Sequence, residues 1–169
     1  MNDYDWLGNG IYFWENNSSR AMEFAQESAN RKGTKIITPA VIGAILVLGN
    51  CLDLTDTYYL NELKKAYNVL SKVKEIAGAS LPENENFSSS KDKLFRKLDC
   101  AVIQVLHTLN EEKKIHPYDT VRGVFWEGGE LYPNAGFSAK NHIQICVRNI
   151  NCIKGFFLPR PIDKNFPIP

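Results

Sequence analysis

Apolar positions recur with two different periods along this chain. Ile11-Tyr12-Phe13-Trp14 is a run of four β-favouring residues. It follows a turn, Trp6-Leu7-Gly8-Asn9-Gly10, whose glycines reach backbone angles that other residues avoid. Asn16, Asn17, Ser18 and Ser19 all favour helix N-caps. Beyond them Ala21, Phe24, Ala25, Ser28 and Ala29 fall on one narrow helical face. The pattern predicts a strand and then a helix. Lys35 to Thr38 and Val41 to Leu48 read as further strands, the second without alternation, as expected of a strand covered on both faces. Thr55 and Asp56 offer caps for a long helix with Leu60, Leu63, Tyr67, Leu70 and Ala77 on its apolar face.

Gly78 to Ser90 is rich in Pro, Asn and Ser and reads as a loop. A capping-box-like Ser89-x-x-Asp92 then opens a second long helix, with Leu94, Leu98, Ala101, Val102, Val105 and Leu109 as its apolar positions. Lys91, Lys93, Arg96 and Lys97 near its start read as a solvated face. The last third is strand-like at Val121 to Trp126, Ile143 to Arg148 and Cys152 to Phe157. Gly128-Gly129 and Pro133-Asn134-Ala135-Gly136 mark a long loop between the first two. In Ile143 to Arg148 the alternation is clean: Ile143, Ile145 and Val147 face one way, and Gln144, Cys146 and Arg148 the other. We expect one α+β domain over 1–169, with a helical insertion at about 56–110.

Composition narrows the chemistry. The 169 residues carry 20 Lys+Arg against 19 Asp+Glu, a net charge of +1, unlike a protein that holds DNA by a basic surface. The longest apolar run, Ala40 to Gly49, is about half of the ~20 residues of a membrane span. The first thirty residues hold no apolar signal core. We therefore expect no membrane association. Cys51, Cys100, Cys146 and Cys152 form no CxxC, and His107, His116 and His142 form no HExxH, so no metal is expected. Four thiols without a pairing pattern suit a reducing compartment, the cytoplasm by default.

Gly8-Asn9-Gly10-Ile11-Tyr12-Phe13, followed by Ser18-Ser19-Arg20-Ala21, resembles the second signature of the ADP-ribosyltransferases of the poly(ADP-ribose) polymerase and diphtheria-toxin type. Ile45-Leu46-Val47-Leu48-Gly49-Asn50 looks like that family's central L-G-N strand. Gln144-Ile145-Cys146-Val147-Arg148-Asn149 is similar to the strand that begins at its catalytic glutamate. The Trp6-to-Trp14 and Asn141-to-Phe157 segments also resemble a group of small bacterial proteins of this superfamily. The resemblance implies a split, mixed and antiparallel sheet with inserted helices. It also implies an activity: cleavage of the nicotinamide–ribose bond of NAD+, which is substrate here, and transfer of single ADP-ribose units to a protein or nucleic-acid acceptor. A toxin or effector role, with an antitoxin or a second copy as partner, follows from the same likeness.

By that resemblance Tyr12 offers an aromatic face to nicotinamide and Phe24 is the partner ring, one step past the family register at Glu23. Gly8, Gly10 and Phe13 are NAD+-binding residues by the same resemblance. Ser18 or Ser19 meets the nicotinamide amide, because Arg20 stands where the family often has serine. The catalytic position falls on Gln144, which keeps a hydrogen bond to ribose but removes the negative charge. Glu127 and Glu130, in the loop ahead of that strand, are acids able to restore it, Glu127 being the better held. The family's opening strand, bearing His-Gly-Thr or an arginine, has no counterpart in Met1-Asn2-Asp3-Tyr4, so it lies upstream in a longer product or is missing. Two other activities remain open: an NAD+ glycohydrolase, with water as acceptor, and a module that binds NAD+, ADP-ribose or a protein without turnover.

Overall fold

The computed structural model describes residues 2–86, 93–160 and 163–167. Its elements in order are β1 (Ile11–Trp14), α1 (Ser18–Ala29), β2 (Gly43–Leu46), β3 (Cys51–Asp53), α2 (Thr57–Ile76), β4 (Asn84–Glu85), β5 (Phe95–Arg96), α3 (Lys97–Glu112), β6 (Thr120–Phe125), β7 (His142–Val147) and β8 (Ile153–Phe157). The architecture is α+β with a mixed sheet. Four strands lie in the order β1-β7-β6-β3, with β3 and β6 parallel and the other pairs antiparallel. A separate antiparallel pair joins β2 to β8, and β4 pairs with β5.

The two faces of the main sheet are buried differently. Tyr12, Cys146, Val121 and Leu52 stand opposite one another across the four strands, so their side chains share a face. That face packs with Ala66 and Leu70 of α2 and Val102, Ile103 and Leu106 of α3 to form the main core. The opposite face presents Phe13, Ile145 and Val147 to Leu46, Leu48, Cys152 and Ile153 of the β2–β8 layer. The alternation read in β7 is therefore the observed one, with a distinct core on each side.

Four expectations are corrected. Lys35 to Thr38 forms no strand. The stretch around β2 is not covered on both faces: Ile42, Ile45 and Val47 are more than half exposed while Leu46 and Leu48 pack inward. A two-stranded layer has only one face to bury, and an all-apolar run hides that fact. On α2 the inward stripe runs through Tyr59, Leu63, Ala66 and Leu70, leaving Leu60, Tyr67 and Ala77 exposed. On α3 the deepest residues include Ile103 and Leu106, which the chosen face omitted, and the helix begins at Lys97. The capping box Ser89-x-x-Asp92 and Lys91 lie outside the described residues.

Asp56 does cap α2, accepting from Tyr58 N at 2.7 Å, and Asn17 caps α1, accepting from Arg20 N at 3.0 Å. Gly10 is required by contact. A Cβ there would stand 2.5 Å from Cys146 Sγ and 2.6 Å from Val147 O, too close for β1 to keep its place on β7.

His107 on α3 is buried beside Arg148, whose guanidinium donates to Nδ1 at 3.1 Å. The proton of the neutral ring then sits on Nε2. Burial first, and the neighbouring guanidinium second, hold its pKa down at about 4. An unfolded histidine titrates near 6.5, so from there down to about pH 4 the unfolded chain binds a proton that the native chain refuses. Stability should fall as pH drops through that window, by on the order of 3 kcal/mol. Urea unfolding at pH 7 and pH 4.5 checks this. His107→Gln should flatten the difference, and an unchanged pH dependence in that variant would assign the acid sensitivity elsewhere.

Candidate active site

β1 is an outer strand of the main sheet. Glu15 N donates to Ile143 O. With the register Phe13↔Ile145, Tyr12 and Trp14 then occupy the non-hydrogen-bonded positions. Their backbone N–H and C=O groups point away from β7, along the free edge. A cleft of about 970 Å³ lies at β1, bounded by α1 on one side and by β2 and β8 on another. Its volume is at the upper end of the range usual for small-molecule sites, about 300–1,000 Å³. Tyr12, Phe13, Trp14, Ser18 and Phe24 contribute to its walls. A second hollow, of about 640 Å³, adjoins it through Ser18, Ala40, Val41 and Pro159 and is also lined by Ser19.

Of the residues expected to bind, Tyr12, Phe13, Ser18 and Phe24 meet at the main cleft, and Ser19 lies at its neighbour. Gly8 and Gly10 line neither and instead shape the turn into β1. Gly8 has φ +80° and its carbonyl accepts from Tyr12 Oη at 2.8 Å. Tyr12 Oη in turn accepts from Leu7 N at 3.0 Å. The phenol thus closes the turn that precedes its own strand, and its ring packs on the main core. Burial, with Cys146 beside it, holds the hydroxyl well above the ordinary tyrosine range, so it stays neutral. The ring paired with Phe24 is Trp14, at 5.0 Å between centroids and 46° between planes.

Gln144 is the cross-strand neighbour of Trp14 and bonds to His142, whose ring feels the charges of Glu127 and Arg20. Trp6 Nε1 donates to Gln144 Oε1 at 2.8 Å, which fixes the orientation of the amide. Gln144 Nε2 therefore donates to His142 Nε2 at 3.0 Å, and His142 Nδ1 donates to Lys140 O at 2.7 Å. Burial lowers the His142 pKa, in keeping with this neutral tautomer. Its ring stacks on Phe125 at 5.2 Å, and Phe125 packs on Trp6.

Glu127 accepts from Arg20 NH2 at 2.8 Å, and the arginine is only 4% exposed. Glu23 and Glu27 carboxylates lie 3.7 and 3.6 Å from Arg20 NH1, while Lys140 Nζ donates to Glu27 at 2.7 Å. Against the upward push of burial, Lys140 and Arg20 hold the Glu27 carboxyl below its usual range. These contacts clamp the loop after β6 onto α1. Glu130 remains on the loop's surface, accepting from Asn134 N.

Neither Gln144 nor Glu127 lines the cleft. Trp14 belongs to both regions, bordering the cleft and standing 6.3 Å from the His142 ring. Sequence reasoning missed Trp6, Trp14, Arg20 and His142 as members of the site. His142 and Gln144, like Tyr12 and Trp14, are two residues apart on a strand and so share a face, which was the readable signal. Among the described residues no group of His, Cys, Asp and Glu is arranged to hold a metal ion, and no helix is long and apolar enough to cross a membrane. Comparisons with protein-family models, with curated proteins and with solved structures give no match to this chain.

Proposed function

We propose that this protein is an ADP-ribosyltransferase-like domain. It takes NAD+ into the cleft at β1, breaks the nicotinamide–ribose bond and passes single ADP-ribose units to a macromolecular acceptor. The observation that carries this reading is the origin of the cleft walls. The Gly-x-Gly-Ile-Tyr-Phe strand and the serine-led helix after it supply Phe13, Ser18 and Phe24 to one hollow of about 970 Å³, which Tyr12 borders while its ring packs on the main core. The four cysteines are free, three of them buried, which supports a reducing, cytoplasmic setting.

A second reading, binding of NAD+ or ADP-ribose without turnover, is favoured by one observation. Both ends of the Gln144 amide are already bonded, to Trp6 and to His142. Incubation with NAD+ labelled in its adenosine half separates the readings. Nicotinamide release with label on a protein or RNA acceptor supports transfer, and release without label supports glycohydrolysis. Protection against thermal unfolding without release supports the binding module. Tyr12→Ala should abolish release. Tyr12→Phe is the sharper variant, because it removes the bonds to Leu7 and Gly8 and keeps the ring. If both variants release nicotinamide at the wild-type rate, Tyr12 has no part in the cleavage.

A further inference from the structure

We propose that the outer edge of β1 is a docking site for a partner protein, of which one extended, uncharged segment adds to the main sheet beside β1. This inference stands apart from the NAD+ reading, since it rests on the sheet edge. β1 closes the strand order on one side, and among the described residues no strand lies beyond it. The register with β7 turns the N–H and C=O of Tyr12 and Trp14 outward, which leaves four main-chain hydrogen bonds for a neighbour to make. Edge strands are usually kept from pairing by Lys, Pro or a bulge. Ile11-Tyr12-Phe13-Trp14 has no charge and no Pro, and its register with β7 is unbroken.

The hollow decides what can reach that edge. Ile11, Tyr12, Phe13 and Trp14 all border it. Side chains of successive strand residues point to opposite faces, so four in a row border one hollow only along the strand's edge. α1 stands on one side and β2 and β8 on another, with Ala25, Ala44, Leu46 and Phe156 among the apolar walls. A second copy would bring its own β1 recessed in the same way, so the two edges cannot meet. A single extended segment can enter. A strand added to a sheet edge gains affinity from main-chain bonds and specificity from pockets for alternate side chains. Glu15 is the one charged residue bordering the hollow among those described, and Arg122 already donates to its carboxylate at 2.7 Å. The segment is therefore uncharged and apolar at alternate positions. It pairs over about 13 Å, the length of four strand residues.

Amide hydrogen exchange followed residue by residue tests this, with a capped Val-Thr-Val-Thr-Val-Thr peptide as probe. In the free protein the Tyr12 and Trp14 amides should exchange faster than that of Phe13, which is bonded to β7. Millimolar peptide should slow Tyr12 and Trp14 by about tenfold or more and leave Phe13 unchanged. Ala25→Trp fills the hollow from α1 and leaves the β1 sequence intact, so it should abolish that protection. The docking site is overturned by no slowing in the wild type, by slowing spread evenly over β1, or by slowing that persists in folded Ala25→Trp protein. Protection of Tyr12 and Trp14 that rises with protein concentration alone, without peptide, gives the edge to a second copy and overturns the partner segment. No NAD+ is present, so the outcome bears on this proposal alone.

Discussion

On the proposed NAD+ reading, with the ribose reaching past Trp14 from the cleft to Gln144, replacing Gln144 with glutamate should raise nicotinamide release by about 100- to 1,000-fold, the usual worth of one preorganised electrostatic contact in a transition state. The cleaved bond leaves positive charge at the anomeric carbon, and an amide in place of a carboxylate stabilises it less. The gain should depend on pH, because of His142. In the native protein Gln144 Nε2 donates to a neutral imidazole whose pKa burial lowers. A carboxylate at that position has no proton to give, so His142 would keep one and bind the new charge as an ion pair. That pairing raises the folded pKa of His142 and masks the carboxylate below it. The rise in release should therefore emerge as pH climbs through the raised His142 pKa, and adding His142→Gln should move the gain to lower pH. Trp6 keeps its donor role in every variant, since glutamate still accepts from the indole. A pH profile of nicotinamide release for the single and double variants decides the matter. If Gln144→Glu leaves release flat while Glu127→Ala abolishes it in protein that circular dichroism shows to be folded, the catalytic position is Glu127.

Arg20→Met should destabilise the protein by about 3–5 kcal/mol, the cost of breaking a buried ion pair by removing one partner. Glu127 is 15% exposed at its side chain and takes its charge partner from Arg20 at 2.8 Å. Without the guanidinium, that carboxylate is left in a site largely closed to water. Glu23 and Glu27 are far better solvated, at 54% and 39% exposed, so they should tolerate the loss. Adding Glu127→Gln to Arg20→Met should therefore recover much of the stability, because removing both members of a buried pair costs far less than removing one. Chemical unfolding of the wild type, both single variants and the double variant gives the coupling directly. No recovery in the double variant would show that Arg20 matters through packing on α1 and not through Glu127. The same pair anchors the loop after β6 to α1, so its loss should also expose that loop to proteolysis.

The site was only half legible in the chain. Tyr12, Phe13, Ser18 and Phe24 were readable because strand and helix periods are local, and residues close in sequence meet in one wall. The ring beside Phe24 was misjudged. Tyr12 turns its hydroxyl back to Gly8 and Leu7, and Trp14, two residues on, takes the place next to Phe24. Arg20 looked like a replaced serine and is instead the buried partner of Glu127, 107 residues away. No local pattern encodes a bond of that span.

What the sequence determined by itself follows from short-range physics. Alternation placed Ile145 and Cys146 on opposite faces of β7, and caps at Asn17 and Asp56 started two helices. Only the tertiary structure decided which side of an all-apolar run is covered, which stripe of α2 faces inward, and which long-range partners hold Gln144 and Glu127. Burial depends on what the remainder of the chain lays against a segment, and hydrophobic attraction has no direction of its own. Where every position of a run is apolar, as around β2, or several helix stripes are, as on α2, the choice among faces passes to the fold.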